Sequence, residues 1–245
     1  MPPKKILIDF SHNEEVETIP DFIFKEDYEF ENLEEGPITL DDLVDYDLLF
    51  IGNPQLDESS NAGFFTKQEI VDIKKFVARG NGILVTSGAG GDQDFKRATG
   101  SPRVLFGVTG VTRFWNGVLQ DKKHSIIAPD NIIIQNFDPH LITRGLKELV
   151  FAGATFLDVS EDAEPLIYTD DETNFKYASD GEVDNVGTVP VLAIAEFMHG
   201  RAATVGCSKV FIDDADVGFE AKDNKKLIRN LFSWLLFEEE EEKEE

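Results

Sequence analysis

Three short apolar runs set the pattern of the N-terminal third. Lys5 to Phe10 carries Ile6-Leu7-Ile8 and ends at Asp9. Asp47 to Ile51 ends at Gly52-Asn53-Pro54, and Gly82 to Ser87 runs into Gly88-Ala89-Gly90-Gly91. Brief apolar runs without polar alternation fit strands buried on both faces. Asp27 to Leu33 alternates instead, with Tyr28, Phe30 and Asn32 on one face, and predicts a further strand. Between the runs lie helix signals. Thr39-Leu40-Asp41-Asp42 starts a short helix, with Thr39 as cap and acids in the first turn. Thr66-Lys67-Gln68-Glu69 is a capping box; Ile70, Ile73, Phe76 and Val77 share one face; Gly80 is placed to end the helix. Strand, helix and strand with tight links predict a parallel βαβ crossover.

Beyond Gly91 the pattern loosens. Val104 to Leu119 mixes Gly, Thr and aromatics and predicts strands or an irregular insertion. Ser125 to Ile127 and Asn131 to Gln135 read as short strands, and Leu141 to Leu149 as a turn with a short helix. Leu166-Ile167-Tyr168 reads as a strand and Asp170 to Gly187 as a polar loop. Pro190 to Glu196 and Ala203 to Phe211 predict an antiparallel hairpin turning at His199-Gly200-Arg201. Asn224 to Phe237 predicts a closing amphipathic helix with Leu227, Leu231, Trp234 and Leu235 inward. The fold class is therefore α/β: a flavodoxin-like three-layer sandwich, its sheet mostly parallel in the order 2-1-3-4, with an elaborated middle and a C-terminal hairpin plus helix. No linker divides the chain, so residues 1–237 form one domain and 238–245 a disordered acidic tail.

Composition narrows the function. The 245 residues are 41% hydrophobic with 20 Phe, enough apolar surface to exclude a disordered chain. The net charge is −25, of which the tail's seven Glu and one Lys carry −6. That sign argues against nucleic acid and anionic membranes. No apolar stretch approaches the roughly 18 residues of a membrane span, so no membrane insertion is expected. The single cysteine, Cys207, forms no intrachain disulfide and reads as a buried structural thiol, consistent with a cytoplasmic location.

In doubly wound sheets, ligands bind beyond the carboxyl ends of the strands near the point where strand order reverses. That rule gathers Asp9, Ser11, His12 and Asn13 from the first strand, Asn53, Gln55 and Asp57 from the third, and Ser87 and Gly88 from the fourth. They form a candidate edge for a ligand or partner. Arg113, Phe114 and Trp115 are a second candidate surface, weighed against core packing. Ser87 is placed for a nucleophile, but Val85 and Ala89 stand where the G-x-S-x-G elbow needs glycine, and no histidine carries a triad motif. The Gly88–Gly91 turn lacks a Walker lysine and leads into Asp92 and Asp94, which repel phosphate. Asp9 and His12 would ligate a transition metal if Asp57 joined them; Asp213, Asp214 and Asp216 would hold a hard cation. Loop hydrogen bonds for the first group and helix capping for the second are the favoured readings, so no metal, no cofactor and no catalytic residue is assigned.

The run Thr39 to Ile51 and the run Phe65 to Ser87, "FTKQEIVDIKKFVARGNGILVTS", resemble glutamine-amidotransferase-like domains. There a helix ending in Phe-Val-x-x-Gly-x-Gly feeds the strand before the nucleophile. Asp138-Pro139-His140 through Gly145-Leu146 resembles the "His-Pro-Ile-Thr-x-Gly" segment of one branch. Gly200 to Phe211 and Asn224 to Leu235 resemble its closing strand and helix. That branch includes the N-terminal domain of an intraflagellar-transport B-complex subunit and gliding-motility, ABC-transporter-associated proteins. The resemblance covers Lys5 to Phe237 and implies a non-catalytic module for protein assembly or carbohydrate binding. The enzymes' Cys after the fourth strand and their His-x-Glu pair are absent here. The expectation is a binding or assembly module with a protein partner, or else a small neutral ligand or cation. The rival is a hydrolase or amidotransferase relative using Ser87.

Overall fold

The computed structural model describes residues 3–14, 27–54, 64–92 and 105–238. Along the chain, β1 (Lys4–Asp9) and β2 (Tyr28–Leu33) precede a one-turn α1 (Leu40–Leu43), β3 (Leu48–Gly52), α2 (Lys67–Ala78) and β4 (Gly82–Thr86). The middle holds α3 (Phe106–Thr109), β5 (Val111–Phe114), β6 (Gly117–Gln120), β7 (Asn131–Ile134), β8 (Asn136–Phe137) and β9 (Leu149–Ala152). It continues through β10 (Leu157–Val159), β11 (Glu164–Tyr168), β12 (Asn174–Tyr177) and β13 (Val183–Asn185). The chain closes with β14 (Pro190–Phe197), β15 (Gly200–Val205), a 3-10 turn at Ser208–Phe211 and α4 (Asn224–Leu235).

An eight-stranded sheet in the order β2-β1-β3-β4-β15-β14-β11-β8 forms the centre, and its first four strands follow the expected order 2-1-3-4. Neighbours from β2 to β15 are parallel. From β15 to β8 they are antiparallel. The architecture is a mixed α/β one with few helices among the described residues, consistent with a flavodoxin-like fold. Side-chain alternation explains why β1, β3 and β4 read as unbroken apolar runs. Ile6, Ile8, Leu48, Phe50 and Leu84 pack with Leu227, Leu231, Phe232 and Leu235 of α4. Leu7, Leu49, Ile51, Ile83 and Val85 pack with Ile73, Phe76 and Val77 of α2. Each strand thus feeds both faces of the sheet.

Helix α2 begins where its capping box says it should. Thr66 Oγ1 accepts from the Glu69 amide at 3.2 Å, and Glu69 Oε2 accepts from the Thr66 amide at 2.6 Å. Its buried Ile73, Phe76 and Val77 each contribute roughly 1.5–3 kcal/mol of burial. Phe76→Ala would therefore be among its costliest single changes, at about 3–5 kcal/mol. Gly80 follows at φ +106°, a conformation open to glycine and strained for other residues.

Several expectations need correction. Asp170 to Gly187 is not a loop throughout, because β12 pairs with β6 and β13 with β12. Phe175, fully buried at the centre of β12, is the anchor that holds it. Leu141 to Leu149 contains a turn but no helix, and Leu149 already belongs to β9. Ser125 to Ile127 contributes a single bridge, Ser125 to Ile132. The last hairpin turns at Met198-His199, since Gly200 already pairs with Phe197. Ala203 to Phe211 is not one strand. Strand β15 stops at Val205, the chain passes Gly206 closely against Thr155 O, and Val210 and Phe211 enter the core from the 3-10 turn. Of the expected tail, only Glu238 lies among the described residues, where Tyr28 OH donates to Glu238 Oε2 at 2.9 Å. Among the described residues no helix is long and apolar enough to cross a membrane.

Candidate functional site

The carboxyl end of β1 delivers a buried ionic cluster. Ser11 donates to Asp9 Oδ1 twice, through its amide at 3.0 Å and its hydroxyl at 2.6 Å. Those bonds turn Asp9 Oδ2 toward His12 Nδ1, at 2.7 Å. The other ring nitrogen, Nε2, lies 3.1 Å from Glu69 Oε1, and the ring stacks on Phe65 at 4.2 Å. Glu69 is thus more than a cap. It also accepts from the Ile38 amide at 2.9 Å and links α2 to the loop after β1. The His12 amide in turn donates to Glu14 Oε2 at 3.0 Å. Glu14 bridges Pro54, so the loops after β1 and β3 meet. Asn13 and Asn53 stand at the two turns with φ of +57° and +63°, a region asparagine tolerates better than most residues.

Electrostatics follow from these contacts. Burial alone would lower the His12 ring, but its bonds to Asp9 and Glu69 outweigh burial and push it up to about 10. Burial would raise Asp9, and the His12 hydrogen bond and charge hold it below the usual carboxylate range. Glu69 is likewise drawn down to about 2 against its burial, by His12 and Thr66. Glu14 feels the His12 charge as well, but the opposing effects are larger. Burial and the Asp9 charge push it up to about 9. Its Oε1 is buried with no hydrogen-bond partner among the described residues. The cluster therefore holds an imidazolium between two carboxylates, beside a protonated third.

The β4 end is built differently. Ser87 is fully buried; its amide donates to Val205 O at 2.9 Å, and its Oγ has no hydrogen-bond partner among the described residues. No histidine is bonded to it. His12 is clamped between carboxylates, His124 faces Asp121 and Asp170, and His140 accepts from the Ile142 amide. The glycine turn is closed as well. The amides of Gly90, Gly91 and Asp92 donate to Gly117 O, Gly88 O and Phe114 O, which leaves none of these three for an anion. A Cβ on Gly91 would stand 2.1 Å from Trp115 O, so only glycine allows this approach.

That contact joins the two candidate surfaces. Phe114 is buried, and its amide donates to Asp92 Oδ2 at 3.1 Å. Trp115 stacks on Phe156 at 4.9 Å and donates through Nε1 to Asp158 Oδ1 at 2.9 Å. The exposed Arg113 guanidinium lies 3.9 Å over the Trp115 ring. Gln55 and Asp57 lie outside the described residues, as does Asp94. Cys207 is fully buried, donates to Ala152 O at 3.3 Å, and burial pushes its thiol up to about 12, which makes it a poor nucleophile.

Two groups escaped the sequence reading. Glu69 was visible as a cap but not as a partner of a histidine 57 positions earlier. The second is Asp121, His124 and Asp170, whose ligand atoms converge near the surface. The repeated Asp-x-x-His spacing, Asp9 with His12 and Asp121 with His124, is the signal that could have flagged it.

No protein-family model matches the chain, and no curated protein matches it. Solved structures do. The mmIFT52 N-terminal domain aligns at a TM-score of 0.77 and 19% identity, over 97% of this chain and 99% of that one. A ThuA-like protein from Bacteroides uniformis aligns at 0.61 and 16%, over 97% and 94%. A cytoplasmic protein from Salmonella typhimurium aligns at 0.57 and 17%, over 95% and 98%. At these identities the likeness is one of fold alone.

Proposed function

We propose that this chain is a non-catalytic binding or assembly module of the cytoplasm, a single domain over residues 1–237, which takes a protein partner at the carboxyl edge of its parallel strands. The observation that carries this reading is the state of Ser87. It stands at the strand end where the resembling enzymes keep their nucleophile, yet it is buried and has no base within hydrogen-bond reach among the described residues. The likeness to the mmIFT52 N-terminal domain over nearly the whole of both chains supports the assembly half of the proposal. The net charge of −25 favours a partner with a basic surface.

The test has two arms. Native purification followed by size exclusion and mass spectrometry should yield a protein partner in fixed stoichiometry, with and without residues 238–245. Glutamine and acyl-ester turnover should stay at the level of buffer. Turnover that disappears in Ser87→Ala, from a chain that elutes alone, would overturn the proposal.

A further inference from the structure

Asp9, His12 and Glu14 each present one ligand atom, and these atoms lie within 4.8 Å of one another. The remaining polar atoms of the three groups are already committed. Asp9 Oδ1 is held by Ser11, Glu14 Oε2 by the His12 amide, and His12 Nε2 by Glu69. The atoms left for an ion are Asp9 Oδ2 and His12 Nδ1, which meet at 2.7 Å, and Glu14 Oε1, to which no donor among the described residues is bonded, on a carboxyl that faces Asp9. Asp9 is fully buried and His12 only 5% exposed, so this is not a solvated acidic patch. The geometry points to a divalent transition-metal site formed by Asp9 Oδ2, His12 Nδ1 and Glu14 Oε1, with Glu69 as the carboxylate that orients the imidazole.

The chemistry of the set supports it. A ligating histidine characteristically donates its other N–H to a carboxylate, which fixes the tautomer and raises ring basicity. Glu69 is in that position, and it is itself anchored by the Thr66 and Ile38 amides. One imidazole with two carboxylates favours Zn²⁺ or a similar ion over Mg²⁺ and Ca²⁺, which prefer all-oxygen sets. Three protein ligands leave a fourth position for water. On binding, the proton between Nδ1 and Oδ2 and the proton on Glu14 leave to solvent. The two carboxylates and the ion then balance in charge. Tetrahedral coordination needs Nδ1 and Oδ2 to open from 2.7 Å by about half an ångström, a small rotation of either side chain.

The experiment uses the full chain stripped with a chelator, then titrated with ZnCl₂ by calorimetry and melted in its presence. Binding of one Zn²⁺ per chain, with a raised Tm and with MgCl₂ inert, is the expected result. Glu14→Gln keeps the shape of the protonated carboxyl and should fold, yet it should weaken Zn²⁺ by at least about tenfold. His124→Ala, at the exposed cluster, should leave binding unchanged. Co²⁺ should give a visible spectrum that Glu14→Gln abolishes. The assignment fails if Zn²⁺ neither binds nor raises Tm, if binding is undiminished in a folded Glu14→Gln, or if it is His124→Ala that loses it. These outcomes are independent of whether a protein partner is found.

Discussion

The chain uses the same local device twice and gets two different objects. In both Asp9-x-x-His12 and Asp121-x-x-His124 the aspartate accepts from amides that follow it and turns its second oxygen toward the histidine. In both a second carboxylate, Glu14 or Asp170, closes the group. At the β1 end the His12 side chain is 6% exposed and Nδ1 to Oδ2 is 2.7 Å; after β6 the His124 side chain is 51% exposed and the same contact is 3.3 Å. Burial explains the difference in consequence. Removing water strengthens each attraction and makes each unpaired charge costly. The buried group must be complete, whereas the exposed one shares its charges with solvent and salt.

The largest effect that would break this contrast is at His12. In chelator-treated protein, His12→Ala leaves Asp9 and Glu69 buried without their cation and should cost about 3–5 kcal/mol in urea unfolding. A cost no greater than that of His124→Ala would erase the distinction. Glu69→Gln comes next, at about 1–3 kcal/mol, because it weakens the His12 contact and the bond to the Ile38 amide together. Its pH profile is diagnostic. Glu69 is drawn below its unfolded value of 4.5 to about 2, so its stabilisation is present above 4.5 and lost as pH falls toward 2. The variant should lack that limb of the acid unfolding curve.

A subtler contrast is in proton binding. By NMR, the His12 ring should keep both protons until pH nears 10, as its folded value is about 10 against an ordinary 6.5. The stability it provides is then complete below 6.5 and lost as pH rises toward 10. His124 should titrate above its ordinary value, raised first by its bond to Asp121, and drift back as salt is added. Identical salt responses for the two rings would contradict their different burial. The smallest expected effect is the denaturant midpoint of His124→Ala, which should match the parent within experimental scatter.

The parallel half of the sheet was legible because its signals are local. Each of β1, β3 and β4 is one apolar run with its own stop, and α2 has its capping box and Gly80 within a span of 15 residues. The middle was less so. Strands β12 and β13 are short and largely polar, and they exist because β6 offers a partner more than fifty positions earlier. The Phe175-Lys176-Tyr177 alternation was present but too brief to outweigh the surrounding acids. Likewise the expected strand Pro190 to Glu196 falls within β14, but the point where β15 stops depends on the close approach of Gly206 to Thr155.

By itself, the sequence determined the α/β class, the 2-1-3-4 order and the starts of α1, α2 and α4. Those features arise from side-chain periodicity and from caps within a few residues of each other. Only the tertiary structure decided which of the polar residues at the strand ends form a unit. Glu69 reaches His12 from another element, Glu14 is brought to Pro54 by a loop contact, and Ser87 is sealed behind the β15 backbone. The physical reason is that ionic and metal chemistry depends on distance and dielectric, and neither quantity exists until the chain has closed around the site.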